Sequence, residues 1–164
     1  MSSSEKFRVE FACSGNTCRS PMAAHLLGAA LDEAGLGETV SVGSSGTVAE
    51  PGAGMDPRAA EVLGITGERG SHAARRTDPG ELAAADLIVC MGARHLAQVE
   101  QGLPTRRRPT VVLMSGFDPA AADGTDIADP FHGDLGRYQE TRSALAAALP
   151  GLLARIRAGL AAER

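Results

Sequence analysis

An alternating apolar run, Phe7, Val9 and Phe11, leads without a break into Cys13-Ser14-Gly15-Asn16-Thr17-Cys18-Arg19 and then into Ser20-Pro21. Alternation at period two marks a strand with one buried face. Serine as a cap followed by proline at the first helical position marks a helix start. The chain must therefore pass from strand to helix through one short loop, which is the β–loop–α unit of an α/β sheet.

The remaining elements follow the same logic. Thr39 to Ser45 reads as a second strand, followed by a Gly-rich loop. Asp56-Pro57 repeats the cap-plus-proline signature and starts a helix through Leu63. Asp78-Pro79-Gly80-Glu81 has capping-box spacing and starts a short third helix. Leu87 to Met91 is a continuous apolar run, as a central parallel strand requires. A helix over Arg94 to Gln101 and a fourth strand over Thr110 to Met114 come next. Ser115 to Asp134 then reads as a loop of about twenty residues without structure of its own, a length that is usually functional or disordered. A long helix closes the chain. Strands alternating with helices predict an α/β fold: a doubly wound, four-stranded parallel sheet with helices on both faces. Ligands in such folds bind beyond the carboxyl ends of the strands, where Cys13 to Ser20 falls. The 164 residues suit one domain, taken as residues 7–164 behind a flexible tail over residues 1–6.

Composition excludes several classes. A net charge of −4 argues against a nucleic-acid partner, because phosphate-backbone affinity needs clustered cations. Arg106, Arg107 and Arg108 are the one dense basic run and read as a solvated loop. No signal peptide is visible, and no apolar run approaches the ~20 residues that cross a bilayer, so no membrane role is expected. An odd number of cysteines, three, fits a cytoplasmic chain whose thiols stay reduced. Zinc is disfavoured: Cys13 and Cys18 have four residues between them, but His25, His72, His95 and His132 offer no matching ligand-pair spacing. No metal or other cofactor is expected.

The loop itself carries the chemistry. A turn of Ser, Gly and Asn can aim successive N–H groups inward and form an anion-binding nest at a helix N-terminus. Arg19 adds a planar fork that matches two phosphate oxygens. The same positive field favours the thiolate of Cys13, and that is what makes a cysteine nucleophilic near neutrality. The Ser20 hydroxyl, besides capping the helix, is placed to donate to that sulfur. The bland alternative is a strand-to-helix turn that happens to contain two cysteines. The Gly-Lys-Ser/Thr ending of a nucleoside-triphosphate loop is missing.

Cys13 through Ala23 resembles the phosphate-binding loop of the low-molecular-weight protein tyrosine phosphatases. Ser44-Ser45-Gly46-Thr47, Asp56-Pro57-Arg58-Ala59, His72 with Arg75, Asp86 through Met91, and Asp129-Pro130-Phe131 fall in that family's order and spacing. The resemblance implies phosphorylated proteins as substrates, and phosphate, sulfate or vanadate as site ligands. It implies Cys13 as nucleophile, with the amides of Ser14, Gly15, Asn16, Thr17, Cys18 and Arg19 holding the phosphate. Asp129 would be the general acid and then the base for water; composition alone does not select it from Asp118, Asp123, Asp126 and Asp134. Asn16, Ser44 and His72 would support the loop, although His72 also reads as a surface histidine before a basic pair. Cys18 matches the family's second cysteine, able to pair reversibly with Cys13 on oxidation, and equally reads as a small packing residue. Cys90 reads as core.

Several positions depart from the usual tyrosine-specific pattern: Ala24 in place of Glu, Gly92 in place of Asp, Thr17 in place of Ile or Leu, and a short Gly46–Asp56 loop without an aromatic. Thr17, that short loop and Asp126 through Phe131 look closer to the protein arginine phosphatases of the same family. A threonine hydroxyl there suits a polar guanidinium leaving group, so phosphoarginine is slightly favoured over phosphotyrosine. Its bland reading is a turn residue bonding the backbone. Phe131 and His132 would form the rest of the substrate wall. An arsenate reductase is disfavoured, because only Cys90, inside a strand, could resolve a disulfide. A non-catalytic phosphate-binding module would be expected to lack Cys13, Arg19 or Asp129, and all three are present. The place of Glu10 in an otherwise apolar strand stays open.

Overall fold

The structure, a computed structural model, describes residues 5–66, 71–106 and 108–163. Most of the expected tail and the central arginine of the 106–108 run lie outside the described residues. Strand β1 spans Phe7–Cys13, helix α1 Arg19–Glu33 and strand β2 Val40–Gly46. Helices α2 (Pro57–Leu63) and α3 (Pro79–Ala83) precede strand β3 (Leu87–Cys90). Helix α4 (Ala93–Gly102), strand β4 (Thr110–Leu113) and helix α5 (Leu135–Ala162) complete the order.

The four strands form a parallel sheet in the order β2-β1-β3-β4. Side-chain alternation splits the core into two layers. Phe7, Val9 and Phe11 of β1, with Leu87 and Val89 of β3, pack into one cluster with Met22, Leu27 and Leu31 of α1 and Leu145, Leu152 and Ile156 of α5. Ala12, Ile88 and Cys90 face the other way, against Leu82 of α3 and Val99 of α4. This is the doubly wound arrangement expected from the sequence. The chain leaves β1 for the β2 edge and returns on the far side to β3, so the carboxyl ends of β1 and β3 flank the switch point.

Two helix starts follow the sequence signals: Asp56 accepts from the Arg58 N–H and Asp78 from the Glu81 N–H, both at 2.9 Å. The start of α1 differs. Cys18 occupies the cap position, no side chain caps the helix, and Ser20 and Pro21 lie inside its first turn. Proline is tolerated there because first-turn N–H groups have no intrahelical partner. The long connection is also not wholly irregular, since Met114–Phe117 forms a 3-10 turn.

Helix α5 is long and apolar enough by composition to cross a bilayer, contrary to the sequence expectation. Its buried residues Tyr138, Thr141, Leu145, Ala148, Leu152 and Ile156 recur at helical spacing, however, and line the core. Pro150 and Gly151 sit mid-helix where α5 passes the 3-10 turn. A Cβ on Gly151 would meet the Phe117 carbonyl oxygen and approach Phe117 Cβ to 3.1 Å. Alanine is ordinarily the better helix former. Here Gly151→Ala is expected to destabilise the protein, by about 1–3 kcal/mol in urea unfolding, because backbone has to move.

Candidate active site

The loop from Cys13 to Arg19 leaves the end of β1 and enters α1. Among the described residues, the N–H groups of Gly15, Asn16, Thr17 and Cys18 meet no protein acceptor. Backbone amides are seldom left this way unless they serve a ligand. Asn16 makes the turn possible: it sits in the left-handed region, at φ 55°, which asparagine tolerates better than most residues.

The Asn16 side chain is fully buried and completely bonded. Its Oδ1 accepts from the Arg75 backbone N–H at 2.9 Å, which sets the amide's orientation. Its Nδ2 then donates to Ser20 Oγ at 2.8 Å and to Ser44 Oγ at 2.9 Å. The His72 ring reaches the Asn16 carbonyl oxygen through Nε2 at 2.6 Å. Because Ser20 Oγ accepts from Asn16, its own proton can point at Cys13 Sγ, 2.9 Å away, with the Ser45 carbonyl a more distant acceptor at 3.4 Å. The hydroxyl therefore serves the sulfur and leaves the helix cap unfilled.

Cys13, Ser14, Gly15, Thr17, Cys18 and Arg19 line one pocket with Val48, Asp129 and Phe131, enclosing about 220 Å³. The Arg19 fork is almost wholly buried. It donates from one nitrogen to the Ile127 carbonyl at 3.1 Å, while the other lies 3.2 Å from the Asp129 carboxylate. The loop bearing Asp129 thus arrives over the cradle from beyond β4. His132 does not line the pocket; it backs Phe131, ring centroids 3.9 Å apart.

Cys18 Sγ lies 3.5 Å from the Tyr138 hydroxyl. Burial pushes the Cys18 thiol up, against the pull of the Tyr138 and Thr17 hydroxyls. Cys90 is wholly buried, and burial pushes it up to about 12. Glu10 finds its place beside Arg75, 2.8 Å away; burial raises it and Arg75 opposes the rise.

Two participants were missed by sequence reasoning. Val48 lines the pocket together with Phe131, and a search for an aromatic in that short loop passed over it. His95, weighed only as a metal ligand, lies buried on α4 with Nε2 2.8 Å from Ser14 Oγ. Burial, then the Arg19 charge, lower its pKa and keep the ring neutral. Nothing short-range in the sequence pairs His95 with Ser14.

A parallel sheet that delivers Cys13 and Arg19 on a loop of inward amides defines a cysteine-dependent protein phosphatase. The family model for low molecular weight phosphotyrosine protein phosphatases matches residues 8–162, and the chain belongs to that family. A low molecular weight protein-tyrosine-phosphatase of Streptomyces coelicolor is 40% identical over 92% of this chain and 94% of its own. A protein-arginine-phosphatase of Bacillus subtilis is 31% identical over 84% of this chain and 88% of its own. An arginine phosphatase mutant with a phosphorylated active-site serine superimposes with a TM-score of 0.80 at 29% identity, covering 92% of this chain and 95% of that one.

In the folded protein, iodoacetamide is expected to label Cys13 first, with Cys18 held back by its raised pKa and Cys90 labelled only in denaturant. Inorganic phosphate should protect Cys13. Peptide mass spectrometry with and without phosphate reads the order directly.

Proposed function

We propose that the protein dephosphorylates proteins through a phosphocysteine on Cys13. One observation carries the reading: Cys13 Sγ, with the Ser20 hydroxyl 2.9 Å away, lines the same pocket as a run of unpaired amides and Asp129. The phosphoryl group would lie on the amides of Ser14 to Arg19 and in the Arg19 fork. Cys13 Sγ attacks phosphorus, the S–P bond forms, and the bond to the leaving group breaks as Asp129 gives that group a proton. A bound phosphoryl group takes over the Arg19 guanidinium that Asp129 now faces. The carboxyl is then freed from the guanidinium and stands beside the leaving group, where it can give up a proton. In the second half, the Asp129 carboxylate takes a proton from water. The resulting hydroxide attacks phosphorus, the S–P bond breaks, and Ser20 stabilises the departing thiolate. The phosphorylated active-site serine of the arginine phosphatase relative supports this course, since serine differs from cysteine by one atom.

Phosphoarginine is the favoured substrate, on the strength of Thr17. Its half-buried hydroxyl lines the pocket, where it can bond a guanidinium nitrogen or the attacking water. The exposed Phe131 face suits a planar cation. A second reading, phosphotyrosine, is favoured by the same apolar pair, Val48 and Phe131, which can clasp a ring between them. The higher identity to the tyrosine phosphatase of Streptomyces coelicolor agrees with it. Whole-chain identity, however, weighs every residue equally, whereas specificity rests on the few at the rim.

Cys13→Ser is expected to abolish turnover while vanadate still binds, because the cradle survives without its nucleophile; retained turnover would overturn the mechanism. Thr17→Ile separates the substrates. It should lower kcat/KM for phosphoarginine relative to phosphotyrosine by about ten- to a hundred-fold, the scale of losing one polar contact to the substrate. If both fall together, Thr17 only shapes the loop and phosphotyrosine is the better reading.

A further inference from the structure

Helix α4 starts without a cap of its own. Gly92 holds the cap position and has no side chain to offer. The first N–H of the helix, that of Ala93, instead donates at 2.9 Å to Oδ1 of Asp126, thirty-three residues further on. Asp126 lies three residues before Asp129. Beside it, the Ile127 N–H donates to the Met91 carbonyl at 2.8 Å, and the Ile127 carbonyl takes the Arg19 bond. The segment bearing the proposed acid is thus clamped to the end of β3 and the first turn of α4.

Gly92 supplies the room for that clamp. Its φ of −158° is extended backbone that any residue adopts, so the requirement is space and not conformation. A Cβ there would stand 2.9 Å from Asp126 Cγ and 3.0 Å from each carboxylate oxygen. A carboxylate on residue 92 would cap α4 locally, but it would evict Asp126 from the helix. Two residues beyond Ala93, His95 reaches Ser14 in the phosphate cradle. One turn of helix therefore holds both halves of the site, the cradle through His95 and the acid segment through Asp126.

We propose that Asp126 is a positioning residue for proton transfer: by taking the N-terminus of α4 it fixes Asp129 over the leaving group, and Gly92 leaves it the space. This rests on the reading of Asp129 as the general acid. Asp126 is exposed and absent from the residues lining the pocket. Its loss should reach catalysis only through the placement of Asp129. A misplaced acid matters most where the leaving group most needs a proton.

The test compares phenyl phosphate with p-nitrophenyl phosphate in wild type, Asp126→Ala, Asp126→Asn, Asp129→Ala and the double variant Gly92→Asp/Asp126→Ala. In Asp126→Ala, kcat on phenyl phosphate should fall about ten-fold or more beyond any fall on p-nitrophenyl phosphate, a part of what a general acid contributes. Inhibition by inorganic phosphate should be unchanged. Asp126→Asn keeps the acceptor oxygen and should recover most of the loss. The double variant returns a cap to α4 without the clamp, so melting temperature should recover and the leaving-group dependence should stay steep. It also serves as the folded reporter should Asp126→Ala unfold. If cap repair restores the wild-type dependence, or if Asp126→Ala lowers only melting temperature, Asp126 is a stabiliser of α4 and the inference is overturned. Asp129→Ala separates the two levels: a steep dependence there with a normal one in the Asp126 variants refutes the clamp alone. A flat dependence in Asp129→Ala refutes the acid assignment and the clamp together.

Discussion

The site depends on one buried amide. With φ at 55° and all its side-chain polar atoms bonded, Asn16 turns the loop, and among the described residues its neighbours' N–H groups meet no carbonyl. Each bond has a different source: Ser20 on α1, Ser44 on β2, the Arg75 backbone beyond α2, and His72 at the Asn16 carbonyl. A net contribution of about 1 kcal/mol each is modest. Their convergence nonetheless holds a backbone shape that would otherwise relax by bonding to itself. The positive field at the pocket is thus maintained by packing and hydrogen bonds, before any phosphate arrives.

That dependence explains what was legible in the sequence. The strand alternation, the proline-marked helix starts and the apolar run of β3 are local signals, and each element appears within about two residues of its expected bounds. The Asn16, Ser44 and His72 shell came from resemblance to a family motif, because residues 16, 44 and 72 have no short-range relation that patterning could detect. The cap signal at Ser20 misled for a physical reason. A serine before a proline looks like a cap, but here Cys18 holds the cap position and the Ser20 hydroxyl lies inside the first turn, 2.9 Å from Cys13 Sγ. Val48 and His95 were missed because a pocket wall and a buried imidazole become visible only once β2, α4 and the loop are brought together.

The Asp129 side of the pocket is built differently. Where the cradle is buried and reinforced from several directions, Asp129 is half-exposed, on a segment held by backbone bonds at Ile127 and by one carboxylate on a helix end. The division suits the chemistry. On the proposed mechanism the cradle would need to be rigid to stabilise charge on the phosphoryl oxygens, whereas Asp129 would have to leave Arg19 once phosphate takes the fork. Local stability is lower where there are few buried contacts, and such segments move more easily.

Specificity then falls to the rim. Among the described residues, Val48 and Phe131 are the two large apolar side chains left exposed, at 61% and 54%, and both line the pocket. Neither contributes to the buried core, so the fold places little constraint on them. An exposed apolar pair at a concave site gains free energy only when something covers it. A planar guanidinium and a phenol ring both offer a flat face to such side chains, so an apolar rim alone would not tell them apart. On the proposed reading, discrimination would fall to the polar groups of the same pocket: the Thr17 hydroxyl, which could bond a guanidinium nitrogen and would have no such partner on a tyrosine ring, and the Asp129 carboxyl. A substitution at position 17 therefore probes the polar lining of the pocket while leaving its apolar rim, Val48 and Phe131, in place.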